Sequence, residues 1–312
     1  MATSHGIEDR FPGARIERDA TATTLAVGEG MKKRLLVNGW GMTYLTPLTK
    51  LMAHLPLVAL EEPPRSGLVI CLGMGTTFRS VASWGIESTA VELVPGVARL
   101  FDYFHADAPD LLAAPGNRIV VDDGRRFLEL TERTFDVVVI DPPPPISAAG
   151  SSLLYSTEMY ELIRRRLRPG GILQQWVPHA DPVALAAIVK ALEASFPHVR
   201  DFGSISGWGH HLLASDRPIR LPSAAEIEAR MPAAAVRDLL EWGPAATAAA
   251  QLAAVFAAEH PPGSHTRDFP DVPALDDDHP VNEYDFLRDL ARAGWHIPGT
   301  PRRKPPVLQR QG

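Results

Sequence analysis

The stretch Gly67-Leu-Val-Ile-Cys-Leu-Gly-Met-Gly-Thr-Thr-Phe-Arg79 is an apolar run that ends in a Gly-x-Gly pair and then turns polar. Its segment Leu68–Leu72 predicts a strand buried on both faces, as in a parallel sheet. Gly73 and Gly75 allow the backbone to turn tightly and to approach a ligand without a Cβ in the way. The stretch therefore predicts the first strand, turn and helix of a nucleotide-binding sheet.

A second strand is predicted at Ser88–Glu92, and it ends on a carboxylate. Glu92 follows the glycines by about 20 residues, the spacing at which doubly wound folds place the acid that binds ribose hydroxyls. Glu92 is the candidate for that role. The third glycine of a dinucleotide fingerprint is missing, which favours a smaller adenosyl ligand.

Two further apolar strands also end in acids. The run Arg118-Ile-Val-Val-Asp-Asp-Gly124 predicts that Asp122 or Asp123 accepts from an adenine amino group, or alternatively that Asp122 caps the next helix. The strand Phe135–Ile140 is followed by Asp141 and four prolines, which cannot continue a central strand. Ligands of open α/β sheets bind at the carboxyl ends of the strands. Asp141 is therefore predicted to lie over the ligand.

The alternation of strands and helices predicts the domain organisation. Residues 46–215 are expected to form a doubly wound, mostly parallel, Rossmann-like α/β domain. Residues 1–45 are expected to form a small β-hairpin unit ahead of it. Residues 216–297 predict a helical C-terminal extension, and the basic, proline-rich residues 298–312 predict a disordered tail.

Three segments flank the predicted site. A helix is predicted over residues 45–60, where Pro56 is expected to end or kink it. Residues 146–152 are small enough to form a flexible lid. The polar stretch Asp276–Glu283 is a candidate to fold back over the site and to supply acids to it.

Composition restricts the function classes. The 312-residue chain has 37 acids against 31 bases and a formal net charge of −6, so no overall positive field favours nucleic acid or an acidic membrane. The single cysteine, Cys71, lies in a predicted strand, cannot form an intramolecular disulfide and gives no zinc pattern, so no metal is expected. The absence of a signal segment and of a long apolar stretch predicts a cytoplasmic protein.

In their order, Gly73-x-Gly75, Glu92, Asp122-Asp-Gly124 and Asp141 resemble the spermidine synthase (polyamine aminopropyltransferase) family, in particular its bacterial branch often fused to membrane segments. The sequence segments at residues 52–57 and 167–172 also fit this resemblance. It implies the class I S-adenosylmethionine-dependent methyltransferase fold and a transferase of polyamine biosynthesis. The implied co-substrate is decarboxylated S-adenosylmethionine or S-adenosylmethionine, the partner is a small-molecule amine, and a homodimer is possible.

The resemblance also implies roles for individual residues. Gly73 and Gly75 would line the amino-acid end of the adenosyl ligand, and Glu92 would hold the ribose. Asp123 with Gly124, and Asp122 beside them, would contact the adenine. Asp141 would orient the acceptor amine and accept its proton.

The chain departs from the family where a diamine is bound. The family's acids and its Tyr-x-Glu and Gln-x-Glu motifs fall on residues that carry no negative charge: Leu48, Lys50, Met74, Pro144, Trp176 and Pro178. Because each buried ammonium needs a partner, the acceptor is expected to be bulkier and more apolar than putrescine. Trp176, Tyr155 and the proline loop are the candidate walls; core packing is the alternative role of the two aromatic residues.

Two other functions stay open at this point. Asp141-Pro-Pro resembles the Asp-Pro-Pro-aromatic loop of amine methyltransferases, although the aromatic position is Pro144 here. This favours a S-adenosylmethionine-dependent N-methyltransferase. The missing acids favour instead a non-catalytic adenosyl-binding module.

Overall fold

In a computed structural model, two β-sheets with flanking helices make up the fold. The structure describes residues 11–284 together with 287, 288 and 290, so the predicted tail lies outside the described residues. The small sheet is antiparallel and has the order β1-β2-β3-β4. Its strands are β1 Arg15–Arg18, β2 Thr23–Val27, β3 Arg34–Val37 and β4 Trp40–Tyr44. The predicted N-terminal β unit is thus a four-stranded sheet rather than one hairpin.

The large sheet has eight strands in the order β12-β10-β11-β9-β8-β5-β6-β7. They are β5 Ser66–Ile70, β6 Glu87–Glu92, β7 Asn117–Val121, β8 Phe135–Ile140, β9 Leu167–Val177, β10 His198–Gly203, β11 His210–Ser215 and β12 Glu259–His260. Strands β5 to β9 pair in parallel, whereas β10, β11 and β12 pair antiparallel at one edge. The predicted doubly wound, mostly parallel sheet is confirmed.

Helices cover both faces of this sheet. They are α1 Pro47–Ala59, α2 Thr76–Ala82, α3 Pro95–Arg99, α4 Phe101–Phe104, α5 Ala108–Ala113, α6 Gly124–Leu130, α7 Thr157–Arg166, α8 Pro182–Ser195, α9 Ala224–Arg230, α10 Ala233–Leu240 and α11 Ala248–Phe256. Along β8, Val137 and Val139 pack with α1 and the C-terminal helices, and Val138 and Ile140 pack with α7 and α8. Successive side chains of β8 thus point to opposite faces of the sheet, and both faces are buried, as its apolar run predicts.

Helix α1 begins where the sequence provides its start signals. The Thr46 side chain accepts a hydrogen bond from the Leu48 amide at 3.3 Å, and Pro47 occupies the first turn. The helix does not end at Pro56 but continues to Ala59. Its last two turns are buried against the sheet, and this packing outweighs the one backbone hydrogen bond that proline removes.

The residues beyond 215 are not wholly separate from the sheet. Helices α9 to α11 contribute to the same buried cluster as α1, and β12 extends the edge of the large sheet beside β10. The boundary at residue 215 stays a prediction. Within the described residues, no helix combines the length and apolarity that crossing a membrane requires.

Candidate active site

The glycine loop between β5 and α2 needs both of its glycines for its backbone. Gly73 and Gly75 have φ values of +55° and +84°, in the left-handed region. A Cβ on Gly75 would lie 2.2 Å from Phe101 Cε2, so no larger residue fits there. Met74, between them, is buried in the cluster that includes Leu35 of the small sheet. Its side chain therefore serves packing against the N-terminal sheet.

Glu92 ends β6 and is tied to the glycine loop. Its Oε2 accepts from the amides of Leu72 at 2.9 Å and Gly73 at 3.4 Å, and its Oε1 accepts from the Val94 amide at 2.9 Å. Burial raises the pKa of Glu92, and the backbone donors oppose this effect. The carboxylate thus joins the ends of two neighbouring strands at the loop where the adenosyl ligand was predicted.

The acids after β7 form a turn that starts α6. Asp123 is the N-cap residue, because its Oδ1 accepts from the Arg126 amide at 2.9 Å; the prediction that Asp122 caps the helix is therefore wrong by one position. Asp122 Oδ1 instead lies 2.7 Å from an Arg126 guanidinium nitrogen and accepts from the Asp123 amide. A Cβ on Gly124 would lie 2.5 Å from Ile70 Cγ2. Gly124 therefore allows α6 to start directly against the end of β5.

Asp141 lies one residue beyond β8, at the same edge of the sheet. Its amide donates to the Ile70 carbonyl at 3.1 Å, and its Oδ2 accepts from the Thr77 hydroxyl at 3.2 Å. Burial raises the pKa of Asp141 to about 7, and the Thr77 hydrogen bond opposes this shift. Such a carboxyl is poised to exchange a proton near neutral pH. Thr77, on α2, was missed by the sequence reasoning.

Cys71 was predicted to lie within a strand, but β5 ends one residue before it. It follows β5 and has a φ of +70°, because the chain turns here into the glycine loop. It is half-buried rather than a core residue, and burial, followed by Glu92 and Asp141, raises the pKa of its thiol. Cys71 thus lies among the acids of the predicted site.

Both candidate aromatic walls are buried. Tyr155 is fully buried, and burial, followed by the charges of Tyr160, Cys71 and Asp141, raises the pKa of its hydroxyl. That hydroxyl has no hydrogen-bond partner among the described residues. Trp176 on β9 is 8% exposed, and its ring centre lies 4.8 Å from that of His211. Both residues pack in the core, and their role toward a substrate stays a prediction.

In the register of β8 and β9, Trp176 and Asp141 each come one residue after the last pair of opposite residues, Gln175 and Ile140. Ile140 is opposite Gln175, and Val139 is opposite Gln174. Gln174 is fully buried, and neither its oxygen nor its nitrogen has a hydrogen-bond partner in the part of the chain that the structure describes. Such an amide is costly to leave unpaired, and Gln174 lies on β9 two residues before Trp176; sequence reasoning did not single it out.

Lys50, at a position where the resemblance expects an acid, does not serve the site. Its fully buried ammonium lies 2.8 Å from both Asp238 Oδ1 and Glu241 Oε2, and 4.2 Å from the centre of the Trp242 ring. The Arg79 guanidinium on α2 joins the same two acids at 2.8 and 2.6 Å. This charge network joins α1 and α2 to the C-terminal helices.

His54 is part of the same network. It accepts at Nδ1 from the Trp84 indole at 3.0 Å, which leaves Nε2 to donate to Asp238 at 2.9 Å. A cavity of about 550 Å³ borders this network, lined in part by Arg79, Asp107 and Glu241. None of the predicted site residues lines that cavity.

The segment Asp276–Tyr284, called the strap below, folds over the loop that follows Asp141. Glu283 Oε1 accepts from the amides of Gly150 at 2.9 Å and Ser152 at 3.1 Å, and from the Ser152 hydroxyl at 2.6 Å. The Asn282 side chain donates to the Ile146 carbonyl and to the Ser151 hydroxyl. The predicted lid is therefore held by side chains far along the chain.

Three of the four acids of the strap are engaged in structural contacts, whereas the fourth, Asp278, is exposed. Asp277 pairs with Arg125 of α6 at 2.7 Å, and Asp276 accepts from the amide and ring of His279. Glu283 is bound to the lid, as described. The strap does fold back, and its contacts hold α6 and the lid; that it supplies acids to the site stays a prediction.

The fold and the shared strand edge define an α/β protein of the class I methyltransferase type. Comparison with known proteins is more specific: residues 46–202 match the model of the spermine/spermidine synthase domain. The chain belongs to this family.

Relatives with assigned names agree with the family match. The chain is 32% identical over 175 residues to polyamine aminopropyltransferase 2 of Pseudomonas aeruginosa, covering 52% of this chain and 49% of that protein. It is 29% identical over 201 residues to polyamine aminopropyltransferase 2 of Hyperthermus butylicus, covering 60% and 64%. It is 30% identical over 238 residues to polyamine aminopropyltransferase of Aeropyrum pernix, covering 70% and 74%. The match thus spans about half to three quarters of these relatives.

Solved structures share the fold. Spermidine synthase from Thermotoga maritima superposes with a TM-score of 0.58 at 17% identity, covering 80% of this chain and 84% of that one. A spermidine synthase in complex with the transition state analogue AdoDATO gives 0.60 at 18% identity, covering 80% and 85%. At these identities the likeness supports the architecture alone.

Proposed function

We propose that this protein is an aminopropyltransferase. It transfers the aminopropyl group of decarboxylated S-adenosylmethionine to the nitrogen of an amine acceptor and releases methylthioadenosine. The observation that carries the proposal is Asp141, a carboxyl with a pKa of about 7 at the end of β8, beside the glycine loop of a spermine/spermidine synthase domain.

The transfer reaction requires a proton acceptor for the amine. The leaving group needs no activation, because the sulfonium departs as a neutral thioether. The acceptor nitrogen attacks the methylene carbon bound to the sulfonium, and the carbon–sulfur bond breaks with its electron pair going to sulfur. An ammonium cannot attack until it loses a proton, so a carboxylate within hydrogen-bond distance both orients the amine and accepts that proton. Asp141 is proposed for this role, and the Thr77 hydroxyl at its Oδ2 is proposed to hold the carboxylate in position.

The donor is proposed to lie along the ends of β5, β6 and β7. Three of the four lone pairs of the Glu92 carboxylate accept from backbone amides, so its Oε1 keeps one for a ribose hydroxyl while all three backbone donors stay bound. Gly73 and Gly75 are proposed to approach the aminopropyl end. Asp122, Asp123 and Gly124, at the start of α6, are proposed to contact the adenine.

The acceptor is proposed to carry an apolar body beside its amino group. A dication would need a second buried acid, yet Lys50 occupies one such position and is neutralised by Asp238 and Glu241 instead. Trp176 and Tyr155 are proposed as walls of the acceptor site. The Gln174 amide, buried two residues before Trp176, is proposed as a neutral hydrogen-bonding partner for the acceptor.

Calorimetry and turnover of matched variants test this proposal. Methylthioadenosine and decarboxylated S-adenosylmethionine are titrated into the wild type, Asp141→Asn and Glu92→Gln, and turnover is measured with a panel of amines. Asp141→Asn is expected to bind both nucleosides within about twofold of the wild type and to lose roughly 100-fold or more in turnover. Glu92→Gln is expected to lose nucleoside affinity instead. Unchanged turnover of Asp141→Asn contradicts its assignment.

The same titrations separate the alternative functions. S-adenosylmethionine carries a carboxylate that the decarboxylated form lacks, so preferential binding of S-adenosylmethionine together with a methylated product supports an N-methyltransferase. Nucleoside binding without any transfer to the amines supports a non-catalytic module. Preferential binding of the decarboxylated form with release of methylthioadenosine supports the aminopropyltransferase.

A further inference from the structure

We propose that Asp201, His210, His260 and His265, called the histidine cluster below, bind a zinc ion. One ligand atom from each side chain can be chosen so that all four lie within 4.8 Å of one another. The cluster lies at the antiparallel edge of the large sheet, outside the set of residues proposed for transfer. The inference is independent of the proposed function.

The strand register brings three of the four side chains together. Asp201 on β10 is directly opposite His260 on β12, and His210 on β11 is opposite Gly203 on β10. Gly203 keeps space open for the rings, because a Cβ there would lie 3.3 Å from His260 Nε2. His265, in the loop after β12, completes the group. Three strands and a loop thus converge at one point.

The spacing of the three rings fits ligands of one tetrahedral ion. The ring centres are separated by 4.8 Å for His210 and His265, 5.0 Å for His260 and His265, and 5.3 Å for His210 and His260. With a zinc–nitrogen distance of about 2.0–2.1 Å and tetrahedral angles, ring centres are expected about 5 Å apart. The three ring centres therefore form a nearly equilateral triangle, with sides of the length that a shared zinc ion would give.

The carboxylate lies among the rings. Asp201 Oδ1 is 3.1 Å from His210 Nδ1, and Asp201 Oδ2 is 2.6 Å from His265 Nε2. Within the described ranges, no lysine or arginine pairs with Asp201; the neighbouring Arg200 pairs with Glu259. Asp201 is 9% exposed, and a buried carboxylate whose ion-pair partners are imidazoles favours binding of a divalent cation.

The donor set selects the class of metal. Three imidazole nitrogens and one carboxylate oxygen suit zinc, whereas magnesium and calcium prefer oxygen ligands. Four protein ligands fill a tetrahedral site, which is the pattern of structural rather than catalytic zinc. The ion would fix the loop after β12 to the sheet edge, and the same chain segment continues into the strap that holds the lid.

Metal content and a cobalt spectrum test the site without reference to activity. The full chain, produced without a histidine tag, is stripped with a chelator and then titrated with zinc or cobalt. The variants are His260→Ala, His265→Ala and Asp201→Asn, and the matched control is His198→Ala, at the other end of β10. The wild type and His198→Ala are expected to bind stoichiometric zinc and to give the intense visible absorption of tetrahedral cobalt.

The ligand variants are expected to lose this binding. Loss of an outer-shell partner alone weakens metal affinity roughly 10–100-fold, so loss of a ligand is expected to cost about 100-fold or more. Circular dichroism verifies that each variant is folded, and the wild-type cobalt spectrum decides the matter should a variant fail to fold. A wild type that binds neither metal, or a folded His265→Ala with zinc affinity within twofold of His198→Ala, overturns the proposal.

Discussion

Replacing Asp141 by asparagine is expected to stabilise the fold at alkaline pH, although the same change removes the proposed base. Burial raises the pKa of Asp141 from its ordinary value of 3.8 to about 7. Between these two values the folded state holds a proton that the unfolded state has lost. The free energy of unfolding therefore falls as the pH rises through this window, and above pH 7 the folded state carries the full cost of the buried charge.

The size of the change in the free energy of unfolding follows from the shift in the pKa of Asp141. About 3 pKa units at 1.36 kcal/mol each correspond to about 4 kcal/mol. The side chain is half-buried and keeps some contact with water, so solvent screening reduces this to about 2–4 kcal/mol. Asparagine carries no charge, and its amide oxygen can still accept from Thr77. For a chain of this size the gain corresponds to a rise in Tm of about 4–8 °C at pH 8.5.

Thermal unfolding of the wild type and Asp141→Asn at pH 8.5 and pH 5 measures this stabilisation. The rise in Tm of Asp141→Asn over the wild type is expected to shrink by more than half at pH 5, where the folded wild type keeps its proton. Glu132→Gln, a change at an exposed acid in the loop between α6 and β8, serves as the control and is expected to leave Tm unchanged at both values. A variant that is less stable than the wild type at pH 8.5, or equally stabilised at both pH values, contradicts a raised pKa of Asp141 in the folded protein.

Three further changes probe the surroundings of the site. Thr77→Val removes the hydrogen bond that lowers the pKa of Asp141, so the acidic limb of the pH profile of kcat/KM is expected to move to higher pH, while Thr77→Ser keeps the wild-type profile; an unmoved limb in Thr77→Val contradicts this. Asp238→Ala leaves the buried ammonium of Lys50 short of a partner and is expected to cost about 3–5 kcal/mol in urea unfolding, part of which Lys50→Met should restore. Equal stability of Asp238→Ala and the wild type argues against the charge network. Glu283→Ala frees the lid and is expected to lower kcat about tenfold with nucleoside affinity unchanged, measured by steady-state kinetics beside calorimetry; an unaltered kcat counts against a role for the strap.

The edge of the sheet that carries the site was predictable from the sequence. Strands β5 and β8 are buried apolar runs that lead to Gly73 and Asp141, and β6 ends on Glu92. Parallel strands present their carboxyl ends on one side of the sheet. Gly75, Glu92 and Asp141 therefore had to meet there once the strands were identified. The choice between Asp122 and Asp123 as the helix cap depends on a shift of one residue, which local patterns do not resolve.

The contacts across the chain were not predictable in the same way. Thr77 reaches Asp141 only because α2 returns over the end of β8. Glu283 contacts the lid from 131 residues away in sequence. The two residues of β12 are too few to show a periodic pattern, so His260 had no local signal. Antiparallel register brings it opposite Asp201, and the loop after β12 adds His265.

Product analysis by mass spectrometry shows directly whether this protein transfers an aminopropyl group. The purified protein is incubated with decarboxylated S-adenosylmethionine and a panel of amines that includes putrescine and monoamines with apolar bodies. We expect methylthioadenosine together with an aminopropylated amine, formed best from an apolar acceptor and abolished in Asp141→Asn. Absence of methylthioadenosine with every amine, or a methylated amine formed from S-adenosylmethionine instead, would contradict it.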